Sequence, residues 1–534
     1  MKLKIKDAIK IFLFPPTIRI LYFLGFSYQR LGKVSFFAKS NLIAQAKKLG
    51  KFDEGIAEKK QEVYVLLMLS GSTFHLYIET LLALGLKKKG HKITFLMDDN
   101  TLPIHELKRI GNEKNWDYEA ERDFIFASKF LKTVGLDFIS ISEFIKGTPE
   151  LEYDKKYDTI LEATLLKQYK LGVIEKTLPL LEEKTDLIKK AISITHYIGE
   201  KLVELKPDLV IMSHGIYSTW GPPFQVLLHH QIPTLVHGRG KKRHSQVFNW
   251  NKTGDSWDVT DEWDKVKNKD LTSRQLDLIY QYLDSRISHK NDVFVYNFGK
   301  TTSENETIEY LGLDAKKPIY TLFTNVLWDA TSAQREIAFN NPTEWVIETI
   351  EWFNKHPEKQ LIVKIHPAEV VIGTNMPFYN IIMDRVTPKS NIRIIKPKEK
   401  VNSWSIYNIS KLGIVHTTTA GMEMPLVCKP CIVVSKTHYR NKGFTLDINS
   451  KQEYFDLLEN FDPESIDYEM NKKEAMKYAY LVFIRYQVSF HYFFEEVSTE
   501  INGFKYNNFE EYLDDNNFFK IIDCIENRKA IFEN

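Results

Sequence analysis

Residues 62–99 read EVYVLLMLSGSTFHLYIETLLALGLKKKGHKITFLMDD. EVYVLLMLSG (62–71) is almost continuously apolar, as a strand covered on both faces must be. TFHLYIETLLALGLKKKG then changes to a helical period and ends in lysines and Gly90, the chemistry of a helix C-terminus. HKITFLMDD returns to a strand. Strand, helix, strand is a β-α-β unit, and it predicts a parallel, doubly wound sheet.

The same alternation continues outward. Residues 101–205 are largely helical by periodicity, with a short strand at DFISIS. DLVIMSHG (208–215) and IPTLVHGRG (232–240) follow as strands one helix apart. Residues 241–290 turn polar and read as a loop plus a linking helical segment, their charges a solvated surface. A second block then begins. KPIYTLFTNV (317–326), LIVKIHPAE (361–369), NIRIIKP (391–397), KLGIVHTTT (411–419) and PCIVVS (430–435) are strands. TEWVIETIEWFNKHP (343–357), SWSIYNIS and the start of AGMEMPLVCK are the helices between them. EAMKYAYLVFIRYQVSFHYFFEEV (474–497) reads as one long aromatic helix that packs across both blocks.

The fold class is therefore α/β, with two Rossmann-like domains, a basic helical N-terminus and a C-terminal helical segment. The boundaries fall at 1–60, 61–290, 291–470 and 471–534. A chain of 534 residues has the length for more than one domain, and 43% hydrophobic content excludes a disordered chain. A net charge of only +2 gives no global field pointing to nucleic acid. Cys428, Cys431 and Cys524 are too few for a disulfide framework and fit a reducing cytoplasm. Cys428 and Cys431 lie in VCKPCIVV without a second pair, so they read as small buried hydrophobes rather than zinc ligands.

Residues 1–50 carry ten lysines and arginines against the single Asp7, around the stretch IFLFPPTIRILYFLGF. Pro15, Pro16 and Arg19 interrupt that stretch, so it does not read as a spanning helix. Two readings stand open. One is peripheral association with an anionic membrane at its cytoplasmic face, and the other is a helical hairpin packed on the body.

Polar clusters end the strands, where open α/β sheets bind ligands. In HTTTAGMEMPLVCKP (416–430), a strand runs through Thr417, Thr418, Thr419 and Gly421 into a helix start carrying Glu423. Helix-start N–H groups and threonine hydroxyls suit a phosphate, and the carboxylate suits ribose hydroxyls. The alternative is that Thr419 only caps the helix and Glu423 only complements its dipole. LIVKIHPAE contributes Lys364, His366 and Pro367, TNVLWDA contributes Asn325, and THYRNKGFTLD contributes Arg440 and Lys442. Together these predict a nucleotide–phosphate pocket in the second block. The first block presents Ser72, His75 and Glu79, then His214, Tyr217 and Trp220, then His237 and Arg239. A histidine or carboxylate among them can deprotonate an acceptor hydroxyl, with His75, Glu79 and His214 as candidates and the others lining the acceptor side.

TNVLWDA, KIHPAE, HTTTAGMEMPL…KP and HYRNKGFTLD, in this order, resemble a bacterial and archaeal family of capsule polysaccharide biosynthesis proteins. SHGIYSTWGP with IPTLVHGRG is similar to the same family, and the likeness covers roughly residues 205–450. The resemblance implies a GT-B glycosyltransferase, with two Rossmann-like domains facing across a cleft, acceptor on the first and nucleotide sugar on the second. Some relatives of that family use CMP-Kdo. The resemblance implies that His366-Pro367 contacts the nucleotide phosphate, that Thr417–Gly421 forms the phosphate cradle and that Glu423 holds the ribose. It also implies a nucleotide-sugar donor, a saccharide or glycolipid acceptor and a cytoplasmic site of action. No cofactor or metal is expected, since His366, Lys364 and Arg440 supply the charge. Two alternatives stand beside it: a glycerophosphotransferase using a CDP-linked donor, and a non-catalytic glycan- or nucleotide-binding scaffold in polysaccharide export.

Overall fold

The computed structural model describes residues 61–495 and 501–533, apart from 70, 107–112, 149–150, 289–298, 330–334, 507, 509–510 and 513, together with 43, 46, 47 and 49. The basic stretch expected to meet a membrane thus lies almost wholly outside the described residues. Among the described residues, no helix is long and apolar enough to cross a membrane.

Two sheets organise the chain. The first joins β1 (Glu62–Leu67), β2 (Lys92–Met97), β3 (Asp137–Ser140), β4 (Leu209–Ser213) and β5 (Thr234–Arg239), all parallel, with β6 (Ser245–Trp250) antiparallel at one side. The second joins β7 (Ile319–Phe323), β8 (Gln360–Lys364), β9 (Ile392–Ile395), β10 (Leu412–Val415), β11 (Cys431–Val433) and β12 (Leu446–Asp447), all parallel. The strand orders are β6-β5-β4-β1-β2-β3 and β12-β11-β10-β7-β8-β9. Each order reverses direction once, between β1 and β4 in the first sheet and between β7 and β10 in the second. Those reversals are the topological switch points at which such sheets leave a crevice.

Period-two alternation assigns the faces. In β1, Val63, Val65 and Leu67 enter one core while Tyr64 and Leu66 enter another. Leu76, Ile78 and Leu82 of α1 (Thr73–Lys88) cover the first of these faces. In the second sheet, Leu361 and Val363 pack on one side and Ile362 on the other. Both sheets are covered on both faces, which is why their strands read as continuous apolar runs. Further helices used below are α2 (Asp158–Tyr169), α3 (Leu181–Leu205), α4 (Tyr217–His229), α5 (Ser273–Ser288), α6 (Pro342–Lys355), α7 (Ala420–Leu426) and α8 (Tyr468–Ala479).

Two stretches differ from expectation. The segment 241–290 is not merely loop and linker, because β6 forms a hairpin with β5, pairing Arg239 with Gln246. Its apolar content is modest, and the strand is stabilised by a partner that a local pattern does not show. Val259, Trp263, Ile279, Tyr282 and Leu283 of the same segment bury in a core shared with Phe323 and Val433 of the second sheet.

The stretch 474–497 is not one helix either. α8 ends at Ala479, a π-helical turn spans Tyr480–Arg485, and β13 (Val488–Ser489) pairs antiparallel with β6. The β-branched and aromatic residues after Arg485 take the open side of the first sheet, where ladder hydrogen bonds and a hydrophobic face outweigh helix continuation. Leu481 and Phe483 still pack in the second core, whereas Phe490 and the helix Asn516–Glu526 pack in the first. The C-terminal chain therefore passes from one half of the molecule to the other.

Candidate active site

The C-terminal ends of the strands at the two switch points face one another. His214, just after β4, lies in the electrostatic field of Lys167 on α2, Asp255 and Asp329, the last of these following β7. His366, just after β8, feels Asp329, Lys364 and Lys241, the last on the β5–β6 turn. Direct contacts fasten the halves around this site. Lys167 Nζ lies 4.5 Å from the Trp328 ring centroid, and Arg335 pairs with Asp255 at 3.1 Å. Lys170 donates to Ile372 O at 2.5 Å, and Asn375 Nδ2 to Tyr169 O at 2.6 Å. Leu166 of α2 packs with Val326, Trp328 and Ala368.

On the second-half wall, Thr324 Oγ1 accepts the His366 N–H at 3.0 Å, and His366 Nδ1 accepts the Ala368 N–H at 3.1 Å. An accepting Nδ1 assigns the proton of the neutral ring to Nε2. Burial pushes the His366 pKa down to about 4, with Lys364 and Lys241 acting in the same direction and Asp329 against it. At neutral pH the ring is thus an uncharged N–H donor. A bound phosphate would raise its pKa and draw the imidazolium form into play. Pro367 begins the short helix Ala368–Val371 and sets the turn. Glu369 accepts the Phe378 N–H at 3.1 Å and so caps the next helix rather than orienting His366.

Several expected ligand residues are engaged by the protein instead. Asn325 and Thr417 bind each other across the switch point, Asn325 Nδ2 to Thr417 Oγ1 at 2.8 Å and Thr417 N–H to Asn325 Oδ1 at 3.3 Å. Both oxygens of the buried Glu423 are occupied, Oε1 by Arg286 at 3.1 Å and Oε2 by the Tyr407 hydroxyl at 2.8 Å. Gly421 serves packing, because a Cβ there would lie 2.6 Å from the Tyr439 hydroxyl. The N–H groups of Gly421, Met422 and Glu423 already bond to Thr418 O and Thr419 O. Thr418 and Thr419 are what remains of the cradle: half-buried, with no hydroxyl hydrogen bond among the described residues.

The expected cations are corrected as well. Lys364 is buried on the Ile362 face and donates to Val401 O at 2.9 Å, because strand alternation turns it away from its neighbours Val363 and Ile365. Arg440 staples its own loop, donating to Val433 O, Ile448 O and Asn449 Oδ1. Lys442 donates to Thr260 Oγ1 at 3.0 Å and lines a groove of about 1280 Å³ with Asp258, Arg335, His438 and Lys477.

The first-half wall is a cluster of imidazoles. His75 stands 5.6 Å from His214, 6.1 Å from His237 and 5.5 Å from Trp220, centroid to centroid. Its Nδ1 lies 2.7 Å from Oγ of Ser72, the N-cap of α1. Glu79, one helical turn on, bonds His237 Nε2 at 3.0 Å with both side chains out of solvent. Burial holds the Glu79 carboxyl well above its usual range and the His237 imidazole down to about 3, so the pair is neutral with one proton between them. His75 is likewise held well below its ordinary value, by burial and then by His214, His237 and Arg239.

Trp220 and His237 are fully buried and Tyr217 nearly so. These three form the floor beneath the site and cannot touch an acceptor directly. Arg239 lies over the Phe74 ring at 4.5 Å. His214, half-buried at a left-handed backbone position (φ 54°), is the imidazole of the cluster that both halves' charges reach, and burial with Lys167 lowers its pKa to about 4.

Residue types alone do not single out Arg286, Lys167, Asp255 or Gln487. Each reaches the site from a helix or loop that carries no strand-end signature. Among the described residues, no group of three or more histidines, cysteines or carboxylates is placed to hold a metal ion.

No protein-family model matches the chain, and no curated protein does. Solved structures are similar at low identity. KpsC, the beta Kdo 2,4 transferase of Thermosulfurimonas dismutans, is 15% identical over 51% of this chain and 79% of that one, with a TM-score of 0.33. The UDP-GlcNAc 2-epimerase of Neisseria meningitidis is 10% identical over 79% and 99%, with a TM-score of 0.24. A glycosyltransferase from Rickettsia africae ESF-5 is 11% identical over 80% and 94%, with a TM-score of 0.25.

Proposed function

We propose that the protein is a GT-B-type glycosyltransferase that moves a sugar from a nucleotide-linked donor, CMP- or NDP-linked, onto a surface polysaccharide or glycolipid. The observation that carries this reading is the apposition of two switch points, one flanked by the N–H-donating His366 after β8 and by the Thr418 and Thr419 hydroxyls after β10, the other by His214 above a buried imidazole cluster. Breaking a glycosyl–phosphate bond leaves charge on the departing phosphate, and donors already in place there stabilise it without reorganisation. His366 Nε2–H, Thr418 and Thr419 serve that role. His214 takes the acceptor hydroxyl's proton, with His75 and the Glu79–His237 pair holding the floor beneath it. Apposed walls limit water and thereby hydrolysis.

In this reading the hydrogen-bond donors of the chain stabilise the phosphate charge and the reaction needs no divalent metal, so EDTA leaves turnover unchanged. In the same reading the basic, aromatic residues 1–50 suit an anionic membrane face, and deleting residues 1–40 should reduce liposome flotation. The test of the whole reading is a panel of nucleotide sugars and CDP-glycerol with candidate acceptors, read by released nucleotide and product mass. Sugar transfer from one nucleotide class is expected. Release from CDP-glycerol alone, or binding without turnover for every donor, overturns the proposal.

A further inference from the structure

The turn joining β5 to β6 carries GRGKKRH (238–244). Its backbone is held from an unexpected direction. Gln487 is fully buried just after the π-helical turn, and its Oε1 accepts the N–H of Lys241 at 2.7 Å and of Lys242 at 3.0 Å. Its Nε2 donates to Val482 O at 3.4 Å. Gly240 closes the turn by donating to Ser245 O at 3.0 Å, and a Cβ there would collide with Ser245 Oγ. One side chain from the C-terminal crossing thus fixes the backbone from which Lys241 departs.

The Lys241 ammonium makes no hydrogen bond or ion pair with any described residue; its Nζ lies 4.8 Å from the Trp257 ring centroid. Charged and titratable groups of five elements lie within its electrostatic reach: Asp329 after β7, His366 after β8, Glu423 on α7, Arg286 on α5 and His438 before β12. Four other cations near the second-half wall are committed, Lys364 to Val401, Arg440 to its loop, Lys442 to Thr260 and Arg286 to Glu423, while Lys167 lies over the Trp328 ring on the His214 side. A cation without a hydrogen-bonding or ionic partner among the described residues, on a turn whose backbone is fixed and in the field of a neutral histidine donor, has the chemistry of an anion clamp.

We propose that Lys241 is the cation that the first half supplies to the anion pocket of the second half, and that Gln487 is the positioning residue that holds it there. The inference rests on the nucleotide-pocket reading for the identity of the anion, a nucleotide phosphate. Lys241 is exposed on the surface of the turn, and the protein packed around its base, followed by Arg286, lowers its pKa to about 8, with Glu423 and Asp329 opposing. Its charge, and the clamp with it, is present at neutral pH and fades in mild alkali. His366 titrates near 4 and lies outside that window. Lys364 also titrates near 8, so an arginine variant is needed to separate the two lysines.

The test is calorimetric titration of the full chain with CMP, UDP and inorganic pyrophosphate at about pH 7 and pH 9.5. Wild-type affinity for the bound nucleotide falls roughly tenfold between the two. Lys241→Arg stays charged and keeps its affinity at both pH values, while Lys241→Gln is roughly 10- to 100-fold weaker at pH 7 and loses no more at pH 9.5. Gln487→Leu weakens nucleotide binding, and Gln487→Glu, which retains an acceptor oxygen, restores it. Wild-type affinity in Lys241→Gln, or an alkaline loss in Lys241→Arg equal to wild type, overturns the clamp while leaving the nucleotide reading intact. Wild-type affinity in Gln487→Leu overturns the positioning role. Binding of pyrophosphate that depends on Lys241, with no nucleotide bound, upholds the clamp and overturns the nucleotide donor. A wild-type protein that binds none of the three overturns both.

Discussion

Residues make this site by the hydrogen bonds to which they are committed. His366 commits Nδ1 to a backbone N–H and so carries its proton on Nε2. Replacing it with alanine should weaken nucleotide affinity roughly tenfold or more without changing the melting temperature, because the ring is half-buried and its loss opens no apolar core. Unchanged calorimetric affinity would count against the pocket. Glu79 offers a pH test. Its folded pKa is raised, so the stability it contributes is complete below its unfolded value near 4.3 and is lost as pH rises toward the folded value. Glu79→Gln mimics the protonated acid and can still donate to His237. The variant should therefore gain stability relative to wild type as pH climbs from about 4.5 to 8, as read by urea unfolding at each pH. A constant difference between the two would show that Glu79 does not change protonation on folding.

Elements bring these residues within reach. β7 and β10 end side by side at a switch point, which is what allows Asn325 to meet Thr417, and α7 starts against the Tyr439 ring. Gly421→Ala puts a methyl group into that ring. The expected result is a loss of about 1–3 kcal/mol in stability, together with weaker nucleotide binding as the Tyr439 bond to Thr418 O is broken. Denaturant unfolding and titration of the same sample measure both, and a variant with wild-type values would show that α7 adapts freely. The long α3 and α4 pair beneath the histidines plays the corresponding part in the first half, with Thr195 donating to Ser218 O at 2.8 Å. Most strands and most helices were legible from periodicity, although the two-residue β12, recruited by β11, was not. β6 and β13 were not, because each is a strand only by virtue of the other and of β5.

The whole molecule is two doubly wound sheets tied by α2, by the Asp255–Arg335 pair and by the C-terminal crossing. A ligand held by both walls stabilises both. Nucleotide at about 100 times its Kd should therefore add about 2.7 kcal/mol to unfolding, seen as a rise in Tm by scanning calorimetry. A saturating nucleotide that leaves Tm unchanged would show that it does not bind the native state. Sequence by itself determined the α/β class, the two blocks of alternation and the strand ends at which chemistry gathers. These are local signals, since burial on both faces of a parallel strand is written in successive residues. Tertiary structure alone decided which polar groups at those ends are free. Glu423 is held by Arg286 from 137 residues away, and the turn of Lys241 by Gln487 from 246. Hydrogen-bond capacity is finite, so a side chain satisfied by a distant partner is withdrawn from ligand binding, and no local pattern records that partner.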